Sequence, residues 1–366
     1  VGGEEDKVRV KEQPKTLNPR PKRRDEMRLG KWILIAWCFS FVGFSFFTLP
    51  VLAQAAPIEL KYSNFFPATA PQTVVAVEWG KEIEKRTGGK IKVTMFPGGT
   101  LTPAPQCYDG VVKGISDIGM SVLAYTRGKF PLTEVADLPL GIKSGLVATK
   151  LLNAYYKKFK PKELGEVEVM YLHGHGPGIL HTKTAVNKLE DLKGMKIRST
   201  GLAAKIVGAL GGTPVAMGMG DTYDALSRGV VEGSLAPYEA LKTWKWGEVV
   251  KFTTEDYGAS YSTAFFVVMN KDKWNSLPAD VKKIIQQVNE EWIEKQGANW
   301  DEVDKAGRDY ALSLGNKIIS LSKEENVRWA KAVHPLLEGY VNDMKAKGLP
   351  GEEALKFYQE ELEKMQ

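Results

Sequence analysis

The feature that most restricts this chain's fold is a change of hydrophobic period between Ile58 and Gly99. Ile58, Leu60 and Tyr62 alternate as one face of a strand does, and after the Pro-containing loop from Asn64 to Pro71, Val75, Trp79 and Ile83 fall on one face of a helix. Gly88-Gly89 ends that helix, and Ile91, Val93 and Met95 alternate again before Pro97-Gly98-Gly99. A strand, helix, strand unit of this kind calls for parallel strands with the helix laid over one face. Alternation recurs in Asp117–Val122, Glu166–Leu172, Met195–Arg198 and Gly229–Leu235, with helical patterns between. The spacing favours two small doubly wound α/β domains over one large sheet. The run STAFFVVMN at Ser262–Asn270 reads as a long buried strand, and beyond Pro278 the chain turns helical and charge-rich. No repeat or flexible linker separates the halves, so crossing strands rather than a tether join them.

The first 55 residues follow a different logic. Arg23, Arg24, Arg28 and Lys31 precede an apolar stretch from Trp32 to Leu52 that runs into Ala53-Gln54-Ala55, a small-x-small pattern. This is the layout of a secretory signal, cleaved after Ala55. About 20 apolar residues also suffice to cross a bilayer, so a retained anchor is the competing reading; Pro50 beside the cleavage pattern favours removal. Residues before Met27 are polar and unpatterned, as expected if translation begins at Met27. The formal net charge is +6, most of it in this leader, so the balance of the remaining chain gives no general reason to expect a basic face for nucleic acid. Of the two cysteines, Cys38 lies in the signal and Cys107 is left without an internal partner. An exported chain without a disulfide relies on its core, for which ~310 residues are ample, and Cys107 reads as a buried, inert thiol rather than a reactive one.

HGHGPG at His173–Gly178 follows the strand VEVMYL, and a His-x-His pair at a strand end is one way a metal site begins. A metal-dependent hydrolase using His173 and His175 is therefore the enzymatic alternative. Only His181 and His334 remain to complete a ligand set, and the competing reading is a Gly-rich turn whose histidines line a cleft or donate hydrogen bonds. Gly174, Gly176 and Gly178, and separately Gly218 and Gly220, are weak matches to dinucleotide loops, and a phosphate loop and a nucleophile elbow are missing. In KGMKIRSTG, Lys193–Gly201, Arg198 stands at the end of a short strand and Thr200 is placed to cap a helix from Leu202 to Leu210. A guanidinium fork beside free helix-start amides suits a carboxylate; a structural ion pair is the other reading of the same arginine. Phe65 and Phe66 sit on the first strand-to-helix loop, and Trp244 and Trp246 follow Tyr238. Open α/β sheets bind ligands beyond the carboxyl ends of their strands, where these loops lie. Ligand contact and plain packing both remain open for the two tryptophans.

Taken together in order, RTGGKIKVTMFPGGTL (Arg86–Leu101), GVVKGISDIGM (Gly110–Met120), LEDLKGMKIRSTG (Leu189–Gly201), ALGGTPVAM (Ala209–Met217), YDALSRGVVEG (Tyr223–Gly233) and VMNKDKWNSLP (Val268–Pro278) resemble a known family. It is that of the periplasmic solute-binding subunits of tripartite ATP-independent periplasmic (TRAP) transporters, the DctP type. The resemblance implies a two-lobed α/β periplasmic-binding fold, type II-like, with hinge strands and C-terminal helices bracing both lobes. Lobe I would comprise 56–175 plus 262–300, and lobe II 176–261 plus 301–366. It implies capture of a small organic carboxylate and delivery to a membrane permease by a periplasmic monomer, with no catalytic residue, cofactor or metal. The family's carboxylate-clamping arginine corresponds to Arg198. Sialic-acid-binding relatives carry a second arginine where this chain has Gly178, and Glu-Asn where it has Leu235-Ala236 before Pro237. These departures point to a smaller or more apolar acid, lined by Phe65, His175, Tyr238 and Trp244; a dicarboxylate requires His175, His181 or Lys242 to supply a second cation.

Overall fold

The computed structural model describes residues 56–366; the expected signal and the cleavage point after Ala55 lie at and beyond that limit. Strand β1 (Ile58–Asn64), helix α1 (Pro71–Arg86) and β2 (Ile91–Phe96) form the expected unit, with β1 and β2 parallel. Pro71 opens α1, where its missing N–H has no helical partner to lose, and Lys85 and Arg86 sit in its last turn against the negative end of the dipole. Helix α2 (Cys107–Val112) leads into β3 (Ile118–Val122), parallel to β1. Helix α3 (Gly145–Phe159) is capped by Ser144, whose side chain accepts from the Val147 N–H, and β4 (Val167–Gly174) follows.

The chain then crosses to a second sheet, built from β5 (Ile179–Thr182), β6 (Lys196–Ser199), α4 (Ala203–Ala209), β7 (Thr213–Ala216), α5 (Met219–Ser227), β8 (Gly233–Ala236), α6 (Glu239–Thr243) and β9 (Phe252–Glu255). It returns to the first sheet through β10 (Ala264–Asn270), then runs through α7 (Lys271–Ser276) and the 35-residue α8 (Ala279–Ser313). Strand β11 (Lys317–Ser320) joins the second sheet, and α9 (Lys323–Val333), α10 (Pro335–Ala346) and α11 (Gly351–Met365) complete the chain. The strand orders are β2-β1-β3-β10-β4 and β11-β9-β5-β8-β6-β7. Both sheets are mixed rather than wholly parallel: β10 is antiparallel to β3 and β4, and β5 to β8 and β9. A strand arriving directly from the other sheet enters against the direction of its new neighbours.

The two crossing segments, between β4 and β5 and between β9 and β10, are stitched to each other. Gly178 N–H donates to Tyr261 O at 2.7 Å, forming an isolated antiparallel bridge, and Ser262 Oγ donates to His175 O at 2.8 Å. Helix α8 makes a third connection. Near its start Val281, Ile285, Val288 and Trp292 bury into the core under the first sheet, while Ala311 joins a core of the second. Asp301 Oδ1 accepts from Gly145 N–H at 2.6 Å, and Asp304 Oδ1 from Glu239 N–H at 2.8 Å, so one helix face holds the starts of α3 and α6. After β11, α9 buries Trp329 and Val333 against the second sheet, whereas Tyr340 and Met344 of α10 and Tyr358 and Leu362 of α11 bury with the first. Cys107 is buried with its sulfur 3.7 Å from Met120 O, and burial pushes its thiol up to about 11. Among the described residues no helix is long and apolar enough to cross a membrane.

Gly307 is where α8 meets α6. A Cβ there would lie 2.1 Å from Tyr238 O and 2.6 Å from Tyr238 C, contacts with rigid backbone that cannot turn aside. Gly307→Ala is expected to destabilise the protein by about 1–3 kcal/mol, read as a lowered midpoint in denaturant unfolding; an unchanged midpoint would mean that α8 is not pressed against α6.

Candidate functional site

Arg198 occupies the third position of β6, where Ile197 on one side of the strand enters the core and Arg198 reaches the space between the two sheets. It is 3 % exposed. Its Nε donates to Met217 O at 3.0 Å, and its guanidinium carbon lies 5.6 Å from the centre of the Trp246 ring. The Tyr125 phenol lies within reach of Arg198, but among the described residues no carboxylate pairs with the guanidinium, so its charge has no counter-ion. A buried cation without an acid carries a desolvation cost of several kcal/mol, which an incoming anion would offset through two parallel, charge-assisted bonds. The arginine is thus not the structural ion pair that spacing alone allowed. Thr200 departs from expectation in its role: α4 begins after Leu202 with no side-chain cap and spans 7 residues, so Thr200 lines the cavity instead of capping a helix.

The other walls are aromatic. Phe65 and Phe265 stack at 6.3 Å with planes 12° apart, and Trp300 meets Phe265 at 5.1 Å. The Phe65 loop is fixed from within: Asn64 Oδ1 accepts from Phe66 N–H at 3.0 Å and Asn64 Nδ2 donates to Thr73 Oγ1 at 2.9 Å. Tyr125 accepts the Met219 N–H at its phenol oxygen, 3.3 Å away, which leaves its own O–H to donate. Burial raises the Tyr125 phenol and the Arg198 charge pulls it part of the way back. The cavity is about 40 Å³, far below the ~300 Å³ at which small-molecule pockets begin. A ring-sized acid therefore enters only when the sheets part.

His175 and His173 differ in what their nitrogens do. His175 Nδ1 lies 2.5 Å from Gly176 O, a contact in which the ring donates, leaving Nε2 as an acceptor at the cavity. His173 accepts from Trp300 Nε1–H at Nδ1 (3.0 Å), faces Met120 Sδ with Nε2 and stacks on Phe265 at 4.7 Å. With both nitrogens engaged inside the core, His173 is no metal ligand, and the hydrolase reading loses its first residue. Burial pushes His173 down to about 3 and His175 to about 4; repulsion from the other ring adds to the first and Arg198 to the second. His181 is likewise buried, bonded to Thr253 Oγ1 and Ala236 O, and pushed down to about 4.

Of the residues expected at the site, Arg198, Phe65 and His175 line one cavity. Gly178 stands behind the wall: a Cβ there would lie 2.3 Å from Cε1 of Tyr261, whose ring lines the cavity and whose hydroxyl donates to Leu235 O. Trp244 is a layer further out, stacked on Phe65 at 6.2 Å. Tyr238 lies elsewhere, bonded to Glu255 Oε1 at 2.9 Å and lining a second, wider hollow with Asp304 and Arg308. Sequence reasoning missed Tyr125, Glu239, Tyr261, Phe265 and Trp300. For Phe265 and Tyr261 a signal existed: both adjoin the crossing into the STAFFVVMN strand, the point where a chain passes from one sheet to another.

Comparison with known proteins bears on this geometry. The DctP family model, described as bacterial extracellular solute-binding protein, family 7, matches residues 62–343. The C4-dicarboxylate-binding periplasmic protein DctP of Rhodobacter capsulatus is 27% identical over 302 residues, 79% of this chain and 88% of its own. A TRAP solute-binding protein from Rhodoferax ferrireducens, solved with copurified benzoate, is 29% identical, with a TM-score of 0.80 over 84% of this chain and 98% of that one. A marine-metagenome TRAP solute-binding protein specific for aromatic acid ligands, from an unidentified microbe and solved with metahydroxyphenylacetate, is 30% identical, with a TM-score of 0.81 over 84% and 99%.

The buried imidazoles give a test of the geometry. An unfolded histidine ionises near 6.5, so between that value and about 4 His173, His175 and His181 bind protons in the unfolded chain but not in the fold. The stability each contributes is present above that window and lost as pH falls through it. Nitrogen-detected NMR at pH 5.5 is expected to show three neutral rings, His173 protonated at Nε2 and His175 at Nδ1; a charged ring at either position would contradict the arrangement.

Proposed function

The chain belongs to the bacterial extracellular solute-binding proteins of family 7, the binding subunits of TRAP transporters, and we propose that it captures a small aromatic or similarly apolar monocarboxylate and hands it to a membrane permease. The observation that carries this reading is Arg198, buried between two sheets with no carboxylate paired to it among the described residues. A single cation supports a single carboxylate. His175 and His181 are held neutral by burial, and Lys242 is exposed, so none of the three supplies the second charge that a dicarboxylate needs. The walls favour a ring, since Phe65, Phe265 and Trp300 present flat apolar faces. The benzoate and metahydroxyphenylacetate bound by the two structural relatives support the same choice.

Binding and release follow from lobe motion. With the lobes apart, water reaches the guanidinium; with them together, the carboxylate and the fork meet where water is excluded and their attraction is far stronger. Closure advances as far as the acid binds the closed form better than the open one. No bond is made or broken, and the energy of transport comes from the membrane partner and its ion gradient. We assign lobe I to 56–175 plus 262–300 and lobe II to 176–261 plus β11 and α9. Helices α10 and α11 go with lobe I because their buried residues pack there. The family's periplasmic location fits the leader, with Ala56 as the first mature residue and a monomer as the working form.

Arg198→Lys replaces a planar fork with a point charge. Losing one charge-assisted bond, about 1.5–3 kcal/mol, is expected to weaken benzoate binding roughly 10- to 100-fold in calorimetric titration. An unchanged dissociation constant would place the clamp elsewhere. Mass spectrometry of the exported protein is expected to find a chain that starts at Ala56; an intact leader would mean an anchored protein.

A further inference from the structure

The segment that carries the clamp also carries an apolar contact outside the cavity. Four residues after Arg198, Leu202 is 5 % exposed and does not line the cavity. By chain position it belongs to lobe II, yet it is buried in the cluster that contains Leu123, Phe130 and Leu132. Every other buried member of that cluster among the described residues comes from lobe I or from α10 and α11. The residues that follow turn the other way: Ala203, Ile206 and Val207 of α4 bury in a core of lobe II.

Nearby contacts cross the same gap. Gly201 has a φ of +52°, and a Cβ there would lie 2.7 Å from the Ala124 Cβ, so the two lobes meet with no room for a side chain between them. Lys205 Nζ donates to Asp343 Oδ2 of α10 at 3.1 Å, and Tyr125 accepts the Met219 N–H. The meeting of Ala124 with Gly201 joins the turns after β3 and β6, away from the hinge. Strand β3 stands beside the crossing strand β10, whereas β8 separates β6 from the crossing strand β5. When the lobes part, Leu202 leaves its cluster for water, a cost borne by the open form alone. A single exposed leucine is ordinary on a protein surface and does not threaten the fold of either lobe.

We infer that Leu202 latches the closed form: it is a positioning residue that sets affinity through the share of molecules that are closed, and it slows release without aiding capture. The inference rests on the lobe motion read above. The test is stopped-flow mixing of the mature protein with benzoate, followed by tryptophan fluorescence, since Trp300 lines the cavity. Leu202→Ala is expected to raise the dissociation rate at least ~10-fold through lost apolar burial, and to leave the association rate within about threefold. Ala124→Leu puts bulk on the facing lobe where Gly201 must lie; it is expected to raise dissociation at least about threefold, and it carries the test alone should Leu202→Ala fail to fold. Ile206→Ala, one turn further along in lobe II's own core, is expected to lower the unfolding midpoint while dissociation stays within about twofold. A dissociation rate unchanged by Leu202→Ala, or by Ala124→Leu where the first does not fold, overturns the latch and leaves capture by Arg198 standing. An equal rise in Ile206→Ala does the same. Failure of the unaltered protein to bind benzoate overturns both.

Discussion

A guanidinium taken out of water without a carboxylate beside it is the constraint around which the rest of this molecule is arranged. Arg198 is held by one carbonyl, Met217 O, and by the face of Trp246, contacts that orient the fork but do not neutralise it. Every neighbouring group is consistent with keeping that charge available. The nearby histidine is neutral, the nearby tyrosines keep their protons, and the acid in the same cavity, Glu239, forms no ion pair with it. In a chain of this composition an internal carboxylate could have paired with it at little cost. Left without a counter-ion, such a charge would gain from an anion bound from outside, and a ligand that binds only the folded state raises its stability.

Delivery of the anion requires a fold that opens without unfolding, and the three connections between the sheets supply it. Two are short extended segments locked to each other through Gly178 and Tyr261, so they bend as one unit. The third is α8, which holds the starts of α3 and α6 through Asp301 and Asp304. Most buried residues cluster within one lobe, and separation would expose the edge of those clusters that lines the cavity, Phe65, Phe265 and Trp300 on one side and Tyr261 on the other. Gly178 links this mechanics to selectivity. Its missing side chain lets the Tyr261 ring lie against the backbone, so the hinge residue and the cavity wall are the same tyrosine.

Much of the fold was legible because long periodic segments dominate it. The β1-α1-β2 unit, the buried strand β10 and the C-terminal helices follow directly from spacing. Strands β5, β7, β9 and β11 were not legible because ILHT, TPVA, FTTE and KIIS do not alternate apolar with polar residues, whereas the equally short β6 was read from Met195 and Ile197. The mixed direction of both sheets was also illegible, since it depends on which sheet a strand joins and not on its own pattern. Arg198, expected from its position at a strand end and from the family resemblance, and Phe65, expected from its loop, line the same cavity. Tyr238 and Trp244 were expected at the ligand because they follow the carboxyl end of a strand, where open α/β sheets bind ligands. In three dimensions the α6 turn sends Tyr238 to Glu255 and Trp244 behind Phe65, and it is Glu239 that faces the cavity. A short helix places successive residues about 100° apart, so being near the site in sequence does not decide which of them reaches it.

Cys107, tucked beneath the first sheet with its thiol far from the thiolate range, has a practical bearing on the motion of the lobes. Nothing else among the described residues carries a thiol. New cysteines placed on exposed positions of the two lobes would accept maleimide dyes while the native one stays silent. Distance changes between such dyes would track each opening and closing event in single molecules, with residues 56–366 needing no prior removal of their native cysteine.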